Sequence, residues 1–174
     1  MLEHSSYPES LVERLIAALR LDINLYRLVS GDPAANSQAF RIVLLAGVSN
    51  GLSLTRRLGG MGVAAGVGAA IVGWLLWAAV IWVAAALLGP RRPGRSLLRA
   101  LGFANSPGLL LILGAVPMVG AASRLVVVVW LLATTVRAVE AVFAVTSRRA
   151  IVITIAAFVG YLVLGFVSAY FAAS

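Results

Sequence analysis

Arg137 and Glu140 stand three residues apart in "VVVVWLLATTVRAVEAVFAV", a run made mostly of valine, leucine and alanine. At that spacing a guanidinium and a carboxylate can close an ion pair on one helix. Ionisable groups inside an apolar segment mark a binding, gating or packing centre. A second polar group interrupts another apolar run, "LGFANSPGLL", with Asn105, Ser106 and Pro107. Pro107 lacks an N–H and frees a carbonyl one turn earlier, near Phe103. Ser106 can cap the helix that restarts at Pro107. Thr154 and Tyr161 add polar groups to the last apolar segment. The expected constellation is one buried cluster of Asn105, Ser106, Pro107, Arg137, Glu140, Thr154 and Tyr161. In it, Arg137 serves the freed carbonyl and Glu140 balances the charge. Such a cluster holds helices together or binds a ligand, and the first reading is the stronger.

The residues for other chemistry are missing from the sequence. There is no cysteine and one histidine, His4, outside every apolar run. Thiol nucleophiles and thiolate metal sites are therefore excluded, and no zinc signature is present. We expect no enzyme activity, no cofactor and no metal.

The elements that must position these residues are membrane helices. The chain has 174 residues, 61% hydrophobic and 11% charged, with a mean hydropathy of +1.01. Soluble domains average about 25% charged residues. No charge occurs from Gly62 to Gly89 or from Ile151 to Ser174, and about 18 uncharged apolar residues suffice for a transmembrane helix. The expected fold is all-α, a polytopic membrane protein with five transmembrane helices and an N-terminal amphipathic helix.

Residues 1–36 form a cytosolic segment in this reading. Within it, residues 9–30 place Leu11, Leu15, Ile16, Leu19, Ile23 and Tyr26 at helical steps, as one helix lying at the headgroup surface, with packing on the protein's own loops as the alternative. Residues 37–174 form the five-helix domain. Its spans run over Ser37–Leu54, Gly62–Leu88, Leu97–Val116, Ser123–Val145 and Ala150–Ala172. The third is broken at Pro107. On the second, Gly62, Gly66 and Gly73 share a face for close helix packing. On the fourth, Trp130 and Thr134 share a face with Arg137 and Glu140.

All fourteen basic residues are arginine and the net charge is +8. With the N-terminus cytosolic, nine arginines fall on the cytosolic side and about three on the outer side, which matches the positive-inside rule. Arg91, Arg92, Arg95, Arg99, Arg148 and Arg149 then set orientation and offer a patch to anionic headgroups. Nucleic acid is not an expected partner.

"LLRALGFANSPGLL", "VPMVG", "VVVVWLLATTVRAVEAV" and "TSRRAI" together resemble the Yip domain family, and its prokaryotic branch more closely. The amphipathic start and the "DP" turn in "RLDINLYRLVSGDPAANSQA" are similar to that branch. The resemblance implies a five-helix bundle with a cytosolic N-terminus, in a prokaryotic plasma membrane. In eukaryotes it implies trafficking and contact with prenylated Ypt/Rab GTPases. This chain lacks the long N-terminal region of the eukaryotic kind, which makes GTPase binding doubtful. The expected role is a membrane scaffold or adaptor, partnered by lipids, by a second copy or by other membrane proteins. The alternative is a transporter or channel component built on the Arg–Glu cluster.

Overall fold

The computed structural model describes residues 10–89, 94–116 and 120–173. Every described element is helical. Helices α1 (Leu11–Leu19) and α2 (Ile23–Gly31) form a short hairpin, followed by α3 (Ala35–Leu58) and α4 (Met61–Leu88). Then come α5 (Gly94–Ala104), a 3₁₀ segment (Ser106–Ala115), α6 (Gly120–Phe143) and α7 (Ser147–Ala173).

Four described helical segments are long and apolar enough to cross a bilayer: α4, α5 with its 3₁₀ continuation, α6, and Ser147–Phe166 of α7. Helix α3 has the length, with 24 residues. It lacks the composition, because Asn36, Gln38, Arg41, Asn50 and three serines dilute its apolar content.

The amphipathic helix expected over residues 9–30 is two helices. Ser10 caps α1 and closes a capping box with Glu13. The helix ends at a turn in which Leu21 N–H donates to Ala18 O and Asp22 N–H to Ala17 O. Leu21 occupies the left-handed region there, at φ 62°, a conformation usually left to glycine. Asp22 then caps α2. The apolar face of α2 is spent on the protein itself. Leu25, Tyr26 and Val29 are buried, and α2 packs on α5 and α6.

The core of the bundle is α5. It packs on α2, α3, α4 and α6, and Leu97, Ala100, Leu101, Phe103 and Ala104 are all buried. Arg99 is buried with them, at 8% exposure, so it is not the headgroup-facing arginine expected from the sequence. Its guanidinium donates to Ser30 O near the end of α2 and to Ser96 Oγ. Cations suit helix C-termini because the last carbonyls lack partners. Arg149 behaves similarly and donates to Leu88 O at the end of α4. Arg95 and Arg148 are exposed, and Arg91 and Arg92 lie outside the described residues.

Helices α3 and α4 form a tight antiparallel pair around the Gly59–Gly60 turn. Gly47 and Gly51 of α3 face Gly62 and Gly66 of α4. A β-carbon on Gly51 would stand 2.6 Å from Val63 Cα and 2.8 Å from Gly62 O. Two small-xxx-small faces thus meet backbone to backbone, the geometry by which membrane helices associate without a hydrophobic driving force. Gly62 and Gly66 lie against the α3 backbone. At Gly73, by contrast, nothing lies within 4 Å of where its β-carbon would be.

Candidate functional site

The break at Pro107 is present, and its loose backbone groups are matched one by one. Ser106 Oγ donates back to Phe103 O, the carbonyl that Pro107 frees. Thr134 Oγ1 on α6 lies 2.8 Å from Ala104 O. Asn105 Nδ2 reaches Leu101 O at 2.9 Å, and Gly108 N–H reaches Asn105 O at 2.8 Å. Continuing as a 3₁₀ helix shifts each later bond by one residue, so Ala104 O also loses its helical donor, and the Thr134 hydroxyl takes that place. Irregular backbone is tolerated at membrane depth only where protein or water satisfies it, and here the protein does so.

The expected single cluster is therefore divided. Arg137 does not serve the Phe103 carbonyl, because the nearer Ser106 hydroxyl does. Ser106 does not cap the restarting segment, because its hydroxyl points back along the chain. Arg137 Nη1 binds Glu140 Oε2 at 3.0 Å as an i,i+3 pair. Glu140 Oε1 also accepts from Ser147 Oγ at 3.1 Å. The pair thus ties the C-terminal end of α6 to the start of α7, with Arg137 side-chain exposure at 40% and Glu140 at 13%.

Thr154 is buried in α7, and its hydroxyl has no hydrogen-bond partner. A buried, unpaired hydroxyl costs about 1–3 kcal/mol. Thr154→Val keeps the shape and removes the hydroxyl, so we expect about 1 kcal/mol of added stability. A thermal melt in detergent checks this, and a lower melting temperature would show that Thr154 serves a partner after all.

Asn105 and Tyr161 come together with residues that the sequence reading did not select. They line a cavity of about 310 Å³ between α3, α4, α5, the 3₁₀ segment, α6 and α7. Gly73 and Trp77 of α4 form one wall and Asn50 of α3 contributes to another. Trp77 packs edge-on against Phe158 and Tyr161, with ring centres 6.5 and 5.7 Å away. Its indole N–H reaches Thr135 Oγ1 on α6 at 3.4 Å. This bond bridges α4 and α6, which share no extended interface of their own. Trp74 Nε1 donates to Leu98 O at 3.2 Å. Arg137, Glu140 and Thr154 do not line the cavity.

Asn50 and Gly47 sit on α3, the long helix too polar to count among the apolar spans. The small-xxx-small spacing of Gly47 and Gly51 was a readable signal. Trp130, named from the sequence only as part of a face, donates to Leu19 O at 3.1 Å and anchors the hairpin to α6. Tyr26 Oη donates to Ala18 O inside the hairpin, and burial pushes its phenol well above the ordinary tyrosine range. Among the described residues no group of acids and histidines could hold a metal ion.

Compared with known families, residues 24–169 match the Yip1 domain. The chain belongs to the Yip1 domain family. The match begins just inside α2 and ends within α7, so it takes in the whole break and the whole cavity wall. No curated protein and no solved structure matches the chain. Membership of the Yip1 family and the four long apolar helical segments among the described residues make this a multi-pass membrane protein.

Proposed function

We propose that this Yip1-domain chain is a non-enzymatic membrane scaffold or adaptor. It acts on membrane organisation or trafficking through lipid and protein contacts, in a prokaryotic plasma membrane. The observation that carries the reading is where the intramembrane polar groups go. Ser106, Thr134 and the Asn105 amide N–H bind the chain's own broken backbone. Arg137 and Glu140 bind each other, away from the cavity. A transport route needs polar or charged groups along its path, whereas these groups are spent on the broken backbone and on the junction of α6 with α7.

In this proposal α3 is the fifth crossing. It stays backbone to backbone with α4 from the Gly59–Gly60 turn through Gly47, and a helix held so closely to a spanning helix shares its depth. Five crossings with a cytosolic N-terminus keep most arginines on the cytosolic side. Asn50 and Arg41 are then tolerable as the costs of a helix covered on one face by α4 and by the 3₁₀ segment.

Purified protein in liposomes tests the role. We expect no ion or solute flux above that of empty vesicles, and stable partner proteins on cross-linking in native membranes. Selective flux that Arg137→Leu abolishes would replace the scaffold with a transporter.

A further inference from the structure

The cavity has hydrogen-bonding groups to spare and an opening at membrane depth. Among the described residues the Asn50 amide and the Tyr161 hydroxyl make no hydrogen bond, and Asn105 uses only its amide N–H, leaving Oδ1 free. Leaving such groups without partners in hydrocarbon is costly, so their placement around one void calls for an occupant that forms hydrogen bonds.

The opening says where the occupant comes from. Ala69, Val128 and Tyr161 line the cavity and are also exposed, Val128 at 45% and Tyr161 at 36%. Ala69 and Val128 each lie eight residues inside their helices, α4 and α6, which is about 12 Å from the end. With α4 and α6 read as membrane-crossing helices, the gap between them faces hydrocarbon rather than water. No charged side chain lines the cavity. A phosphate-bearing headgroup drawn in through that gap would be left unpaired in a low dielectric. A volume of about 310 Å³ sits at the small end of ligand sites, about 300–1,000 Å³. It holds a small head and the start of a chain.

We propose that the cavity binds one neutral lipid from the bilayer. Its small uncharged head, a hydroxyl or ester carbonyl, hydrogen-bonds to Asn50, Asn105 and Tyr161. Its hydrocarbon chain leaves between Ala69 and Val128. The proposal rests on the scaffold reading only in treating the occupant as resident rather than in passage. Flux decides that reading, and the labelling described next decides this one.

The full chain is placed in phosphatidylcholine vesicles carrying either a diacylglycerol or a phosphatidylcholine, each with the same photoactivatable group in one chain. The expected result is labelling of the cavity wall near Val128 and Leu132 by the diacylglycerol, roughly tenfold above the phosphatidylcholine probe. Gly73→Leu fills the cavity from a position where nothing lies within 4 Å of the added β-carbon, and is expected to keep the melting temperature and to lose roughly tenfold of that labelling. If Gly73→Leu fails to fold, Asn50→Leu replaces it and is expected to erase the preference for diacylglycerol. Equal labelling by the two probes overturns the proposal. So does absence of labelling, which would mean a water-filled void. Labelling that neither folded variant changes overturns it as well.

Discussion

Gly66→Leu is expected to prevent the α3–α4 pair from forming. A β-carbon at Gly66 would fall on the backbone of Gly51 and 2.5 Å from Gly47 O. These neighbours are backbone atoms, which cannot rotate away as a side chain would. Overpacking a well-packed core costs about 1–3 kcal/mol. Here the two helices must separate along the whole face, so we expect the upper end of that range or more. The measurement is the yield and melting temperature of purified protein, beside Gly68→Leu as a control. Gly68 lies two residues away on α4, and nothing stands within 4 Å of its added β-carbon. Equal melting temperatures for the two variants would remove the close glycine contact from the account. The experiment also bears on topology. If α3 rides on α4 through the membrane, Gly66→Leu should expose residues near Arg41 to added protease or thiol-labelling probes, after single-cysteine substitution.

Tyr26→Ala carries the second large effect. Tyr26 is fully buried between the hairpin and the bundle, and its hydroxyl binds Ala18 O at 3.2 Å. Truncating a buried aromatic side chain costs about 3–5 kcal/mol. The loss falls on the seat of α1 and α2 upon α5 and α6. We expect the hairpin to detach while the rest of the bundle stays folded, so limited proteolysis should cut near Leu21 in the variant and not in the parent. Tyr26→Phe should retain most of the protection, because it keeps the ring and loses one neutral hydrogen bond worth about 1 kcal/mol. A hairpin held by lipid headgroups instead of by the bundle would be cut equally in all three proteins.

The hairpin shows how far periodicity reaches. Leu11, Leu15, Leu19 and Tyr26 announce helix, but one helix and two helices share that signal until a turn residue separates them. The turn here has no glycine or proline. Leu21 takes the left-handed conformation that such turns require, at a cost of about 1–2 kcal/mol. Burial of Leu25, Tyr26 and Val29 offsets it. A local strain compensated by distant packing leaves no mark in the local sequence. Arg99 was misplaced for a related reason. In the sequence it looks like one more member of the Arg91–Arg99 series. Only the end of α2, brought against α5 by the fold, offers it the Ser30 carbonyl.

Composition and spacing by themselves determined the solvent, the all-helical class, the break at Pro107, the Arg137–Glu140 pair and the family resemblance. Each depends on residues near one another in the chain: uncharged length, a missing N–H, an i,i+3 step, a run of motif residues. The partners of the break, the cavity around Asn105 and the separation of Arg137 from it were decided by the tertiary structure. Equal depth brings groups to one level but does not tell which helix faces which, because rotation about each axis is set by packing. The contacts of Gly47 and Gly51 with Gly62 and Gly66, and the Trp77 bridge to Thr135, set those rotations. They turn Thr134 onto the broken backbone, and they leave Asn50, Asn105 and Tyr161 around a void.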